Sequence, residues 1–203
     1  MLHLAGLHWT VAFALAAVAP VGATRHPNAS GSCAQIGQSP LTVQQVAAYF
    51  HPREVIDVQA VETIRRTQAL YPLAIDGKAW DLLGDIFAED AVANYSAPLG
   101  LLQGVSGIIS GLQSGLAMFS GTQHLLGSQI IDVCSPDSAI SLTYYTASHF
   151  LNATAGSSAV TDDGQALYAY GQYQDMWKKQ EDRTWKIVHR NLVYMGPLIS
   201  DVS

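Results

Sequence analysis

The chain has 203 residues, 49% of them apolar, which is enough for one globular domain with a sizeable core. Its formal net charge is −6 and its few basic residues are scattered, which argues against nucleic acid and anionic membranes as partners. No internal repeat or low-complexity tract divides it.

Residues 1–23 read as a signal peptide. Val11–Ala19 is uncharged and apolar, Pro20 breaks it, and Val21-Gly22-Ala23 places small residues before a cleavage point near Ala23. A membrane anchor is the competing reading, but a span needs about 20 apolar residues and the run from Val11 is shorter. A secreted or secretory-lumen location would let Cys33 and Cys134 form a disulfide; two free buried thiols are the alternative. It would also make the sequons at Asn28, Asn94 and Asn152 available for glycosylation, although such triplets also arise by chance.

Residues 24–56 form an arm rich in Ser, Gly, Gln and Pro, with one short helix over Leu41–Phe50 capped by Thr42. Asp57 is placed to cap a longer helix whose buried stripe is Val58, Val61, Ile64, Gln68, Tyr71 and Ile75. Glu62 and Arg66 are spaced for an ion pair on its other side, and Pro72 is expected to kink it before Gly77 ends it. A second helix presents Trp80, Leu83 and Phe87 and runs to Glu89-Asp90. Ala91–Ala97 is a strand, and Gly104–Phe119 a third helix with a Cβ-free ridge at Gly107, Gly111 and Gly115 that suits close packing on a sheet.

Gly121–Leu151 holds two alternating apolar runs joined by Cys134-Ser135-Pro136-Asp137-Ser138, the pattern of a long β-hairpin. His124 and His149 lie at nearly equal distance from the turn. They are expected close together on neighbouring strands, facing one side. A polar loop over 153–164 precedes strands at Gln165–Lys178 and Thr184–Tyr194, turned by Glu181-Asp182-Arg183. Helices followed by successive strands indicate an α+β fold with a mostly antiparallel sheet.

The run Trp80-x2-Leu83-x2-Ile86-Phe87-x2-Asp90-Ala91, a later helix, and the closing Trp185-Lys186-Ile187-x2-His189-Arg190 resemble the NTF2-like superfamily, specifically SnoaL-like proteins. The branch it is most similar to is that of scytalone dehydratase. The resemblance covers about 57–197, leaving 198–203 as a tail. It implies a cone: a curved, mostly antiparallel sheet wrapped by three helices, with an apolar pocket at one end. It also implies four catalytic positions, which fall at Asp76, Tyr95, His124 (in Thr122-Gln123-His124) and His149. Where the family has a second pocket tyrosine this chain has Ile75, and the family's small Ser and Asn fall at Gly171 and Tyr173. Substrate contacts are therefore expected to differ at Ile75, Gly171 and Tyr173. Tyr145 and Asn191 are further expected pocket residues.

The residue chemistry agrees with that set without requiring it. Dehydration beside a carbonyl needs a base for a carbon-bound proton and an acid for the departing hydroxide, and histidine serves as either near neutral pH. Asp76 would orient His124, His149 would be the second proton carrier, and a tyrosine such as Tyr95 could steady an enolate. Each also has an ordinary structural reading: a hydrogen-bonded core histidine, a helix-ending Asp76 beside Gly77, a packed Tyr95, and a structural His189. No cofactor is expected, since no Gly-rich nucleotide loop follows a strand and no histidine pair has metal-ligand spacing. The expected reading is a secreted dehydratase or isomerase for a small aromatic or polyketide-like metabolite. A cyclase or pericyclase and a non-catalytic binding protein are the alternatives. A homodimer or trimer through the outer sheet face, using Tyr168, Tyr170 or Met176, is left open.

Overall fold

A computed structural model describes residues 33, 36–37, 39–50, 57–151 and 165–201. The expected leader, Asn28, Asn152 and the 153–164 loop lie outside these residues.

The chain is an α+β cone built on one mixed sheet. The described residues form helices α1 (Val43–Tyr49), α2 (Val58–Asp76), α3 (Leu83–Ile86) and α4 (Gly104–Leu116), with a 3-10 turn at Trp80–Leu82. The strands are β1 (Phe87–Asn94), β2 (Leu101–Gln103), β3 (Gly121–Ser135), β4 (Ser138–Phe150), β5 (Ala166–Lys179), β6 (Trp185–Tyr194) and β7 (Ile199–Ser200). They lie in the order β2-β1-β6-β5-β4-β3, with β7 added to β5. Only β1 and β6 pair in parallel.

α2 starts where Asp57 Oδ1 accepts the Ala60 N–H at 2.9 Å. It buries Ile64, Gln68, Tyr71 and Ile75 against the sheet, while Val58, expected in that stripe, is 68% exposed. The helix continues through Pro72 to Asp76. Its surface ion pair joins Glu62 to Arg65 rather than Arg66, at 2.7 Å: the spacing is three residues, not four, and both put the partners on one helix face.

The second expected helix is shorter than its periodicity suggested. Phe87–Asp90 belong to β1, where Phe87 pairs with Ile187 and its ring meets Tyr71 edge-on at 6.2 Å. Sheet pairing here overrides a helical spacing that Leu83 and Phe87 also satisfy. In α4, Ile108, Leu112 and Leu116 are buried as expected. Its glycines serve a different neighbour: a Cβ on Gly111 would lie 2.7 Å from the Leu102 side chain, and one on Gly115 would strike Leu99, whereas Gly107 faces open space. The ridge thus admits the β1–β2 corner rather than the face of the sheet.

The hairpin forms with Ser135 opposite Ser138 across a two-residue turn. Thr122 faces His149 and His124 faces Ala147, so the two histidines are diagonal neighbours on the inner face. Met176, expected on an exposed patch, is packed under the arm with Ile140, Ile36 and the disulfide Cys33–Cys134. On that outer face the Gln174 amide clamps the arm, donating to Leu41 O and accepting from Leu41 N, both at 2.9 Å. The side chain of Asn94 is partly buried, and its Oδ1 accepts the Ser96 N–H at 3.0 Å.

Candidate active site

The inner face of the sheet, α2 and α4 enclose a cavity of about 210 Å³. Its lining is mostly apolar, from Ile75, Leu112, Leu116 and Phe119 among others. The polar groups on it are rings: Tyr71, Tyr95, Tyr145, Tyr173, Tyr194, His124 and His149. Among the described residues no Lys, Arg, Asp or Glu lines it.

Asp76 is the last residue of α2, and there its carboxylate meets the start of β3. Oδ1 accepts from His124 Nδ1 at 2.7 Å and from the Thr122 hydroxyl at 2.8 Å, and Oδ2 accepts the His124 backbone N–H at 2.8 Å. Partial burial on its own would raise the Asp76 pKa, but these bonds and the charge of the His124 ring outweigh it and hold the carboxyl below its ordinary value. Asp76 is thus ionised at neutral pH, and His124 carries its proton on Nδ1. That leaves Nε2 as the ring's second nitrogen for the cavity.

His149 is oriented differently. Its Nδ1 lies 3.2 Å from Leu167 O, a carbonyl that can only accept, so Nδ1 again carries the proton and Nε2 a lone pair. Burial lowers its pKa and the nearby His124 adds to this, outweighing the Leu167 hydrogen bond and the Asp76 charge, which work the other way. The two imidazoles stand edge-on with ring centres 5.5 Å apart, and Phe119 packs on His149 at 4.8 Å.

Across the cavity the Tyr71 and Tyr95 hydroxyls are hydrogen-bonded at 3.0 Å. Whichever donates, the other's proton remains for a ligand. Burial raises the pKa of both, so both stay protonated donors at neutral pH. Tyr145 stacks on Tyr173 with ring centres 4.5 Å apart, and its buried hydroxyl has no partner among the described residues. Tyr71 escaped the sequence reading because its place in the α2 stripe signals burial alone. It lies one turn before Ile75 on the same helix, and both line the cavity.

Of the expected site residues, Asp76, Tyr95, His124, His149, Ile75, Tyr145 and Tyr173 converge here. Gly171 does not line the cavity; it lies beneath Tyr145, where a Cβ would come within 2.7 Å of the ring and would strike Val193 O. Asn191 is a correction. It faces the outer side, donating to Gly37 O of the arm at 2.9 Å and bonding His189 Nε2 at 3.2 Å, because strand alternation puts it opposite Arg190. His189 is accordingly structural. Among the described residues no group of three His, Cys, Asp or Glu is arranged to hold a metal ion.

Curved sheet, capping helices and a ring-lined cavity define a cone-type small-molecule pocket. A SnoaL-like domain model matches residues 56–191, and the chain belongs to that family. No curated protein matches the sequence. Among solved structures it is similar to a protein assigned as a scytalone dehydratase from Novosphingobium aromaticivorans, with 24% identity over 67% of this chain and 84% of that one and a TM-score of 0.56. A protein from the same organism assigned as an aromatic ring hydroxylase gives 23% identity, 70% and 94% coverage and a TM-score of 0.59. A hexachlorocyclohexane dehydrochlorinase, LinA type 2, gives 16%, 70% and 88%, and 0.56. At these identities the likeness is one of fold.

Proposed function

We propose that the chain is a lyase or isomerase of the dehydratase type that moves protons on a small, uncharged, ring-bearing metabolite without a cofactor. The carrying observation is the histidine pair: two rings with Nδ1 occupied, Nε2 left for one apolar cavity, and tyrosine hydroxyls across from them. Among the described residues the lining offers no charged side chain to match a charged substrate. Its size suits one or two fused rings.

His149, neutral and bearing its lone pair on Nε2, takes a carbon-bound proton beside a carbonyl. The Tyr71–Tyr95 pair donates to the enolate oxygen. The proton that His149 removes passes through His124, with Asp76 behind it, to the departing hydroxide, which leaves as water; without a leaving group it returns to another carbon and the substrate is isomerised. The reading places the protein in the secretory lumen or outside the cell, where the Cys33–Cys134 bond is stable.

The test is deuterium exchange into 2-tetralone, an enolisable bicyclic ketone, followed by proton NMR in D2O. The wild-type chain should exceed the solution rate, and His149→Ala should lower its contribution by about 10²–10⁴-fold. Exchange unchanged in that variant removes His149 as the base. Tetralone binding without exchange by the wild type would favour a non-catalytic binding protein.

A further inference from the structure

Behind the tyrosines lies a cation that the proposed chemistry has not used. Arg190 on β6 is fully buried. Its Nε and Nη2 donate to the two oxygens of Asp175 at 2.7 and 2.9 Å, and Nη2 also reaches Gln68 Oε1 at 3.1 Å. Its Nη1 is buried with no hydrogen-bond partner among the described residues. The guanidinium carbon stands 4.4 Å from the Tyr71 ring centre and 4.2 Å from that of Tyr173, well inside cation–π range.

The ion pair is therefore not symmetric about the cavity. Arg190 turns its flat face to the Tyr71 and Tyr173 rings and acts on the Tyr95 hydroxyl beside them, while two of its nitrogens occupy the carboxylate. A pair serving structure alone would be expected to satisfy every buried donor. Here the tyrosines separate a positive charge from the cavity by one ring. Charge at that depth acts through a poorly screening interior and favours negative charge on the cavity side. The same direction holds for the tyrosines themselves: burial is the larger influence and raises Tyr71, Tyr95 and Tyr173, and Arg190 works against it in each.

We propose that the cavity is a binding site for a delocalised oxyanion, a phenolate or enolate, and that Arg190 is the positioning residue that gives it this preference through Tyr71 and Tyr95. This rests on the reading of the cavity as a proton-transfer site, because it assigns the charge that proton removal would create. It also reconciles a lining free of charged side chains with chemistry that generates an anion: the compensating charge is kept one layer back, where it cannot bind a charged ground state directly.

The probe is 4-nitrophenol, whose ionised and neutral forms differ in visible absorption, titrated with pH while bound to the full chain. The wild type should hold nitrophenolate at lower pH than free solution does. In Asp175→Leu/Arg190→Met, which removes both charges together, the bound ratio of phenolate to phenol should fall by about tenfold or more, one unit or more in apparent pKa. An unchanged ratio would overturn the role of Arg190 and leave it structural. Should the double variant fail to fold, Tyr71→Phe decides, since it keeps the ion pair and removes one of the two hydroxyls through which the cation is proposed to act. It should lower the ratio in the same direction, and an unchanged ratio overturns the proposal. A wild-type chain that binds only neutral nitrophenol would overturn the oxyanion site while leaving the tetralone test of His149 intact.

Discussion

Asp76 and His149 make opposite electrostatic arrangements serve one cavity. Asp76 is held below its ordinary pKa by the bonds it accepts, and His149 below its own chiefly by burial. A base must be unprotonated, so with a lowered His149 pKa the exchange rate should remain near its plateau to a pH below the ordinary histidine value of about 6.5. It should then fall as the pH drops through the folded-state value. The stability term has the same sign. Between the unfolded and folded pKa values the unfolded chain binds more protons, so stability declines as pH falls through that window, first for His149 and later for Asp76. A pH–rate profile with its acid limb at or above the ordinary histidine value would contradict this. Asp76, Tyr95, His124 and His149 could be picked out beforehand because the family resemblance pointed to them, and the fold brings all four to one cavity. Tyr71 and Arg190 could not. One was hidden in a helix stripe and the other in a strand motif, and only the fold shows that a guanidinium, two tyrosine rings and a carboxylate 15 residues away share one buried cluster.

At the scale of elements, β4, β5 and β6 set the cavity wall through register. Tyr145, Gly171 and Tyr194 lie side by side across three strands. The missing Cβ at Gly171 is what allows the Tyr145 ring to lie flat toward Tyr173. Gly171→Ala should therefore displace Tyr145, destabilise the fold by about 1–3 kcal/mol as overpacking does, and weaken 2-tetralone binding. Thermal unfolding and a binding titration check both effects, and a variant of wild-type stability and affinity would show that the contact is slack. The hairpin and β5–β6 were readable because alternation and turn residues are local signals. The strand character of Phe87–Asp90, and strands β2 and β7, were not: β2 is only three residues long, and the other two become strands only by pairing with distant partners. The same limit explains Asn191: alternation along β6 does not say which face is inner, and Arg190 takes the inner one.

For the whole molecule, the described part of the arm and its disulfide occupy the outer face while the candidate site lies on the inner one. The cross-link joins residues 101 apart. In the chain-entropy model a loop of that length contributes about 4–5 kcal/mol by restricting the unfolded chain. Cys33→Ala/Cys134→Ala should thus lower the unfolding midpoint markedly. Binding of 4-nitrophenol to the folded protein should stay the same, because the Gln174 clamp and the Ile36–Ile140–Met176 cluster share no residue with the cavity lining. A matching loss of ligand affinity would show that the two faces are coupled. The cross-link also changes what the backbone connects. Residues 33 to 134 become a closed ring carrying Tyr71, Asp76, Tyr95 and His124, while His149, Tyr173 and Arg190 lie on the open chain beyond it. A single protease nick in the Pro98–Gly100 turn would cut that ring without releasing a fragment. Such a nicked chain would run as one species until a reductant was added, and its pocket would still be assembled from a single covalent molecule.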